Sequence, residues 1–105
     1  MDSPILTALL LLTLKGYFRS HGRRILSLAK LLGQESVEVE SRALYRYYDA
    51  SPPYPQRLED LLGLILSSDS VLKELREWGV EVGEGPRGRF LRVKLKLIEE
   101  LLEES

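Results

Sequence analysis

From Phe90 onward the chain obeys a period of two without a fault for eight residues: Leu91, Val93, Leu95 and Leu97 alternate with Phe90, Arg92, Lys94 and Lys96. Side chains alternate faces only in an extended strand, so this pattern excludes a helix and predicts one apolar face backed by a basic one. Val80 and Val82 alternate in the same way upstream, and GEGPRG lies between the two runs. Glycine and proline at that spacing are turn formers, so residues 80–97 predict an antiparallel hairpin with Arg87 and Arg89 at its tip.

The remainder of the chain predicts helices. PILTALLLLTL (4–14) opens a first helix over Pro4–Phe18, with Ser3 as N-cap and Pro4 in the first turn, ending near Gly16 or in the RSHG turn at 19–22. Its leucines point in every direction, which calls for cover on more than one side and suggests a partner subunit. A second helix, RRILSLAKLLG, stops at Gly33. SVEVE (36–40) alternates like a strand, yet Ser36 or Ser41 to Tyr48 is the favoured helix. SPPYP (51–55), with three prolines in four residues, is irregular. Residues 56–79 then predict a helix with Leu58, Leu61, Leu62, Ile65 and Leu66 inward, a short turn capped by Ser68 or Asp69, and a helix ending at Gly79. Val71, Leu72, Leu75 and Trp78 form the inward stripe of that helix. LIEELLEES ends the chain as a short amphipathic helix.

At 105 residues the chain suits a single domain: N-terminal helices for support and dimerisation (1–50), a core unit (56–96) and a C-terminal helix (97–105). Cysteine and asparagine are absent while glutamate and arginine abound, a bias that fits a thermophile's cytoplasmic protein. The longest apolar run is about half of a membrane span, and nothing around it suggests a signal peptide. Net charge is −1, but the charges are segregated. Residues 15–57 carry eight Lys/Arg against four acids and 84–96 five against one, whereas 58–83 hold two against six and 97–105 hold four acids alone. Segregation of this kind matters when one face meets a polyanion.

The succession helix, turn, helix, strand, Gly-rich basic loop, strand over 56–96 resembles a winged-helix domain. LEDLLGLI stands where the supporting helix would be and SVLKELREWG where the recognition helix would be. VEV and FLRVKL match the wing strands, and GEGPRGR the wing. The fold class implied is mainly α with a small antiparallel hairpin, extended by extra N-terminal helices. A second segment, SLAKLLGQESVEVESRALYRYYDA (27–50), is similar to the helix-turn-helix of TetR-type repressors, though its interhelical segment is long.

The winged-helix resemblance implies one helix in the major groove and the wing on phosphates or in the minor groove. Arg87 and Arg89 would reach DNA from the wing, Arg92 and Lys94 from the strand, Lys73 and Arg76 from the recognition helix. Arg42 and Arg46, interleaved with Tyr45 and Tyr47, offer a second basic surface. The function expected is a small prokaryotic transcriptional regulator, a homodimer through its N-terminal helix, on double-stranded DNA. A protein-interaction winged helix is the alternative, because Asp69, Glu74 and Glu77 offset Lys73 and Arg76. DNA is favoured if the two basic segments share a face, and a protein partner if acidic 58–83 intervenes. With no cysteine and one histidine, nucleophilic triads and zinc sites lack their parts, and GEGPRG lacks the Lys-Ser/Thr of a phosphate loop. No catalytic residue, metal or cofactor is expected.

Overall fold

The computed structural model describes residues 3–104. A 29-residue helix, α1 (Ser3–Leu31), leads into strand β1 (Ser36–Glu40) and a 3-10 helix (Ser41–Tyr47). After the proline segment come α2 (Leu58–Leu66), α3 (Asp69–Trp78), β2 (Val80–Gly85), β3 (Gly88–Lys94) and α4 (Leu95–Glu103). The protein is mainly helical, with one three-stranded antiparallel sheet of order β1-β3-β2.

α1 corrects the expected break at 16–22. Neither Gly16 nor Gly22 adopts a positive φ, and no proline interrupts the segment. Gly22 instead serves packing: a Cβ there would stand 3.1 Å from the Phe18 Cβ and 3.3 Å from both Leu102 methyls of α4. The helix spans about 43 Å at 1.5 Å per residue, close to the 41 Å long axis of the molecule. Its end matches the sequence expectation. Gly33, at φ 70°, closes a Schellman turn in which Gly33 N–H donates to Lys30 O and Gln34 N–H to Ala29 O. The proposed Ser3 cap lies outside the described side chains.

The second correction is β1. Of the two starts expected for the helix, Ser41 is the one found, as a 3-10 helix, whereas Ser36–Glu40 is a strand that pairs with β3 from Ser36↔Lys94 to Glu40↔Phe90. Val37 and Val39 thereby face inward beside Val93 and Leu91, and the outer edge of β3 is covered. β2 pairs with the other edge of β3, from Val80↔Val93 to Gly85↔Gly88. The hairpin foreseen from the alternation is present, but β3 stops at Lys94. Leu95 N–H donates to Glu35 O, and the chain turns into α4, where Leu95, Leu97, Ile98 and Leu101 are all buried. Strand and helix periods both place Leu95 and Leu97 inward, so the alternation ran past the true boundary.

α2 and α3 follow the sequence closely. Leu58, Leu61, Leu62 and Ile65 are buried, Ser68 accepts from Val71 N–H as N-cap, and Gly79 caps α3 in the left-handed region at φ 104°. Trp78 departs from expectation: it is 49 % exposed, not core. The buried apolar residues form one cluster to which every regular element contributes, with Leu10, Leu14, Phe18, Leu44, Leu62, Leu75 and Leu91 fully enclosed. α1 thus gives much of its apolar surface to its own chain.

One buried polar group lacks a partner among the described residues, the Thr7 hydroxyl of α1. Thr13, by contrast, donates to Leu9 O at 2.8 Å. A buried hydroxyl without a bond is destabilising, so Thr7→Val is expected to raise the unfolding free energy by about 1 kcal/mol. Urea denaturation of the two proteins tests this, and a loss of stability in the variant would show that the hydroxyl is satisfied.

Candidate nucleic-acid interface

The fate of each basic side chain decides what the hairpin and its neighbours can bind. Pairing parity separates the strand cations at once. Arg92 and Lys94 point outward with Phe90, while Arg89 shares the inner side with Leu91 and Val93. Arg89 therefore turns back onto the protein. Its Nη1 donates to the Glu59 carbonyl at 2.7 Å and stands 3.3 Å from the Glu59 carboxylate, and its Nε lies 3.3 Å from Glu84. It is a strut between β3 and α2, and its guanidinium is engaged on both sides.

Arg92 is outward but flanked by its cross-strand neighbours. Glu38 of β1 accepts from it at 2.8 Å and Glu81 of β2 lies 3.9 Å away. Its pKa is raised, first by the Glu38 hydrogen bond and then by that carboxylate's charge. Lys94 makes no ion pair among the described residues. Its aliphatic stem lies over Gly79, 3.4 Å from where a Cβ would stand. Lys73 and Arg76 are exposed on α3, likewise without ion pairs among the described residues.

Arg87 sits at the hairpin tip between Gly85 and Gly88, its side chain 81 % exposed and 3.8 Å from Glu40. Glu40 also accepts from Arg42 Nε at 2.7 Å. One carboxylate at the end of β1 thus holds both basic segments, the 3-10 helix and the hairpin loop, on one edge. Arg46 lies over the Tyr47 ring, 5.7 Å from its centroid, and Tyr47 in turn meets His21 Nε2 at 3.1 Å and packs edge-on against Tyr17. Tyr45 and Tyr47 belong to a 3-10 helix that follows a strand, so the helix pair suggested for 27–50 is not formed.

Glu59, the first-turn acid of α2, is the residue that sequence reasoning missed. Its carboxylate accepts from Ser41 at 2.7 Å and from the Tyr45 hydroxyl, in addition to Arg89. Burial pushes its pKa up, but the hydrogen bonds from Tyr45 and Ser41 and the Arg89 guanidinium outweigh that and leave it below the ordinary carboxylate value. Nearby, Tyr48 donates to the Pro55 carbonyl, so the two ends of the proline segment are tied to each other. Acidic 58–83 pairs with Arg89 through Glu59 and with Arg92 through Glu81, while the two basic segments share a surface at Glu40, where Arg42 and Arg87 meet.

No family model, curated protein or solved structure matches the chain. No described helix is long and apolar enough to cross a membrane.

Proposed function

We propose that the chain is a winged-helix-type DNA-binding module, acting as a small transcriptional regulator. The reading is supported by the element order α1-β1-α2-α3-β2-β3 with sheet order β1-β3-β2, in which a two-stranded hairpin leaves directly from the end of α3. The observation that carries it is Arg87, an 81 % exposed guanidinium on a glycine-flanked tip. In this reading α3 enters the major groove with Lys73 and Arg76, and Arg87 reaches a phosphate or a narrow minor groove. Arg46 and Lys94 add backbone contacts. Arg42, Arg89 and Arg92 drop out of the contact set, because acids of the same chain hold them.

Fluorescence anisotropy of a labelled duplex across a salt series tests the proposal. Wild type is expected to bind with an affinity that falls steeply with salt, and Arg87→Ala to bind more weakly with a log–log slope shallower by about 1, one phosphate contact. Lys73→Ala/Arg76→Ala is expected to lose more. No binding at about 50 mM salt sinks the reading, since the electrostatic term is strongest there.

One observation favours a second reading, a protein-interaction winged helix. Asp69, Glu74 and Glu77 share α3 with its two cations, and the outer sheet face is neutralised by Glu38, Glu40 and Glu81. Arg87 would then dock on an acidic protein surface, and duplex binding would be absent.

A further inference from the structure

We propose that copies of this chain associate head to tail, the apolar end of α1 from one copy seating in a groove formed by α1, α3 and α4 of the next. The inference stands apart from the DNA reading and rests on two surfaces of opposite shape and charge at the two ends of one helix.

The concave surface is a groove of about 310 Å³ whose apolar lining includes Leu12, Trp78 and Leu101. Leu12 is 65 % and Trp78 49 % exposed, although both are large apolar side chains beside the core. Its rim carries Glu100 of α4 and Glu104, which follows that helix, against Lys15 of α1. Lys15 is 3.7 Å from Glu104, and Glu100 has no ion pair among the described residues, so the rim is left acidic.

The convex surface is the last two turns of α1. Leu28, Leu31 and Leu32 are 57 %, 82 % and 62 % exposed. Spacings of three and four residues put them on one stripe, and Arg24, one turn earlier, heads that stripe. Arg24 has no ion pair among the described residues, whereas Lys30, on the opposite side, is held by Glu99 at 2.6 Å. An apolar stripe led by a free cation matches an apolar groove rimmed by a free carboxylate, and Arg24 of one copy would pair with Glu100 of the next.

A single copy cannot make this contact with itself. Leu12 and Leu31 lie 19 residues apart on one unbroken helix, about 28 Å at 1.5 Å per residue. Leu12 and Leu28, sixteen residues apart on α1, face about 160° apart round the helix, so the two patches do not pair reciprocally across a two-fold axis, and the contact is heterologous, propagating to a ring or an open chain. A groove of about 310 Å³ takes only a few side chains, which places the contact among weak, reversible interfaces.

Sedimentation velocity on the full chain, from about 5 µM to about 500 µM, tests the proposal. Wild type is expected to gain mass with concentration beyond a dimer. Trp78→Glu spoils the groove and Leu31→Glu the stripe, and each alone is expected to stay monomeric, with circular dichroism confirming the fold. Leu12→Glu replaces Trp78→Glu if the latter does not fold. An equimolar mixture of a groove variant with Leu31→Glu is expected to form a 1:1 dimer and nothing larger, because one intact groove meets one intact stripe. A wild type that remains monomeric overturns the proposal, as does a mixture that stays monomeric. A wild-type dimer that grows no further points to a two-fold contact and overturns it equally.

Discussion

Phe18→Ala is expected to lower the free energy of unfolding by about 3–5 kcal/mol, a third or more of the stability of an ordinary domain. Phe18 is fully enclosed and lies where α1 meets α4. Its ring packs edge-on against Tyr17 with centroids 5.1 Å apart, and its Cβ stands beside Gly22, over which the Leu102 methyls close. Two helices fix the walls of this site, so removing the ring leaves a cavity that neither can collapse to fill. Cavity and transfer terms then add, which is why the upper part of the range applies. Leu31→Ala is the control. The same helix loses a comparable apolar side chain at a position 82 % exposed, and the change is expected to stay within about 0.5 kcal/mol. Guanidinium denaturation of the three proteins measures both numbers. A Phe18→Ala loss below about 1 kcal/mol would mean that α1 is not anchored at this seam.

The same seam explains why α1 was only partly readable from the sequence. Two glycines within seven residues, the second closing an Arg-Ser-His-Gly turn, look like a helix stop, since a glycine costs about 1 kcal/mol against alanine inside a helix. What the local sequence does not contain is Leu102, some eighty residues away, which needs the space a Cβ at Gly22 would fill. Tertiary packing outweighs propensity there. SVEVE shows the reverse case. Its alternation is a strand signal, but five residues form a strand only when a neighbour supplies the hydrogen bonds, and β3 is about fifty residues distant. α2, α3 and the hairpin were readable because their caps and turns are local: Ser68 before α3, Gly79 after it, glycines around the loop.

The candidate interface divides along the same line. That Arg87 sits on an exposed tip follows from turn chemistry alone. That Arg89 does not join it was available from parity, because Arg89, Leu91 and Val93 share one side of an alternating strand. Its partner was not available, for Glu59 is thirty residues upstream on another element. Arg92 illustrates a limit of counting charges by segment. The +4 of residues 84–96 is cancelled on the sheet by Glu38 and Glu81, two residues from two other segments that only strand register brings alongside. Trp78 erred for a related reason. Helical spacing placed it on the inward stripe with Val71 and Leu75, but α3 ends at Gly79, and the ring emerges past the edge of the core beside Leu12.

Glu59→Ala is expected to cost about 2 kcal/mol and to loosen the hairpin relative to α2. Three donors from three separate places converge on this carboxylate: Ser41, Tyr45 and Arg89. Ser41 is 4 % exposed, so its hydroxyl loses its carboxylate acceptor where little water can reach it, whereas Tyr45 and Arg89 can recover water. That asymmetry holds the loss nearer to one unsatisfied buried group than to three broken bonds, and Arg89 retains its bond to the Glu59 carbonyl. Glu59→Gln keeps the shape and one acceptor oxygen but removes the charge, so about 1 kcal/mol is expected. The pH dependence follows from the depressed carboxylate. A folded-state pKa below the unfolded one contributes stability that is present above the unfolded value and is lost as pH falls through the folded value. The gap between wild type and Glu59→Gln is therefore expected to be full near neutrality and to shrink as pH falls below the ordinary carboxylate range, where both side chains are neutral. Denaturant midpoints at a series of pH values measure the gap, and hydrogen exchange of the β2 and β3 amides reports the loosening. A gap that stays constant down to the lowest pH would show that the charge of Glu59 contributes nothing and that the cost of glutamine lies in its amide NH2, a donor set among the donors of Ser41, Tyr45 and Arg89.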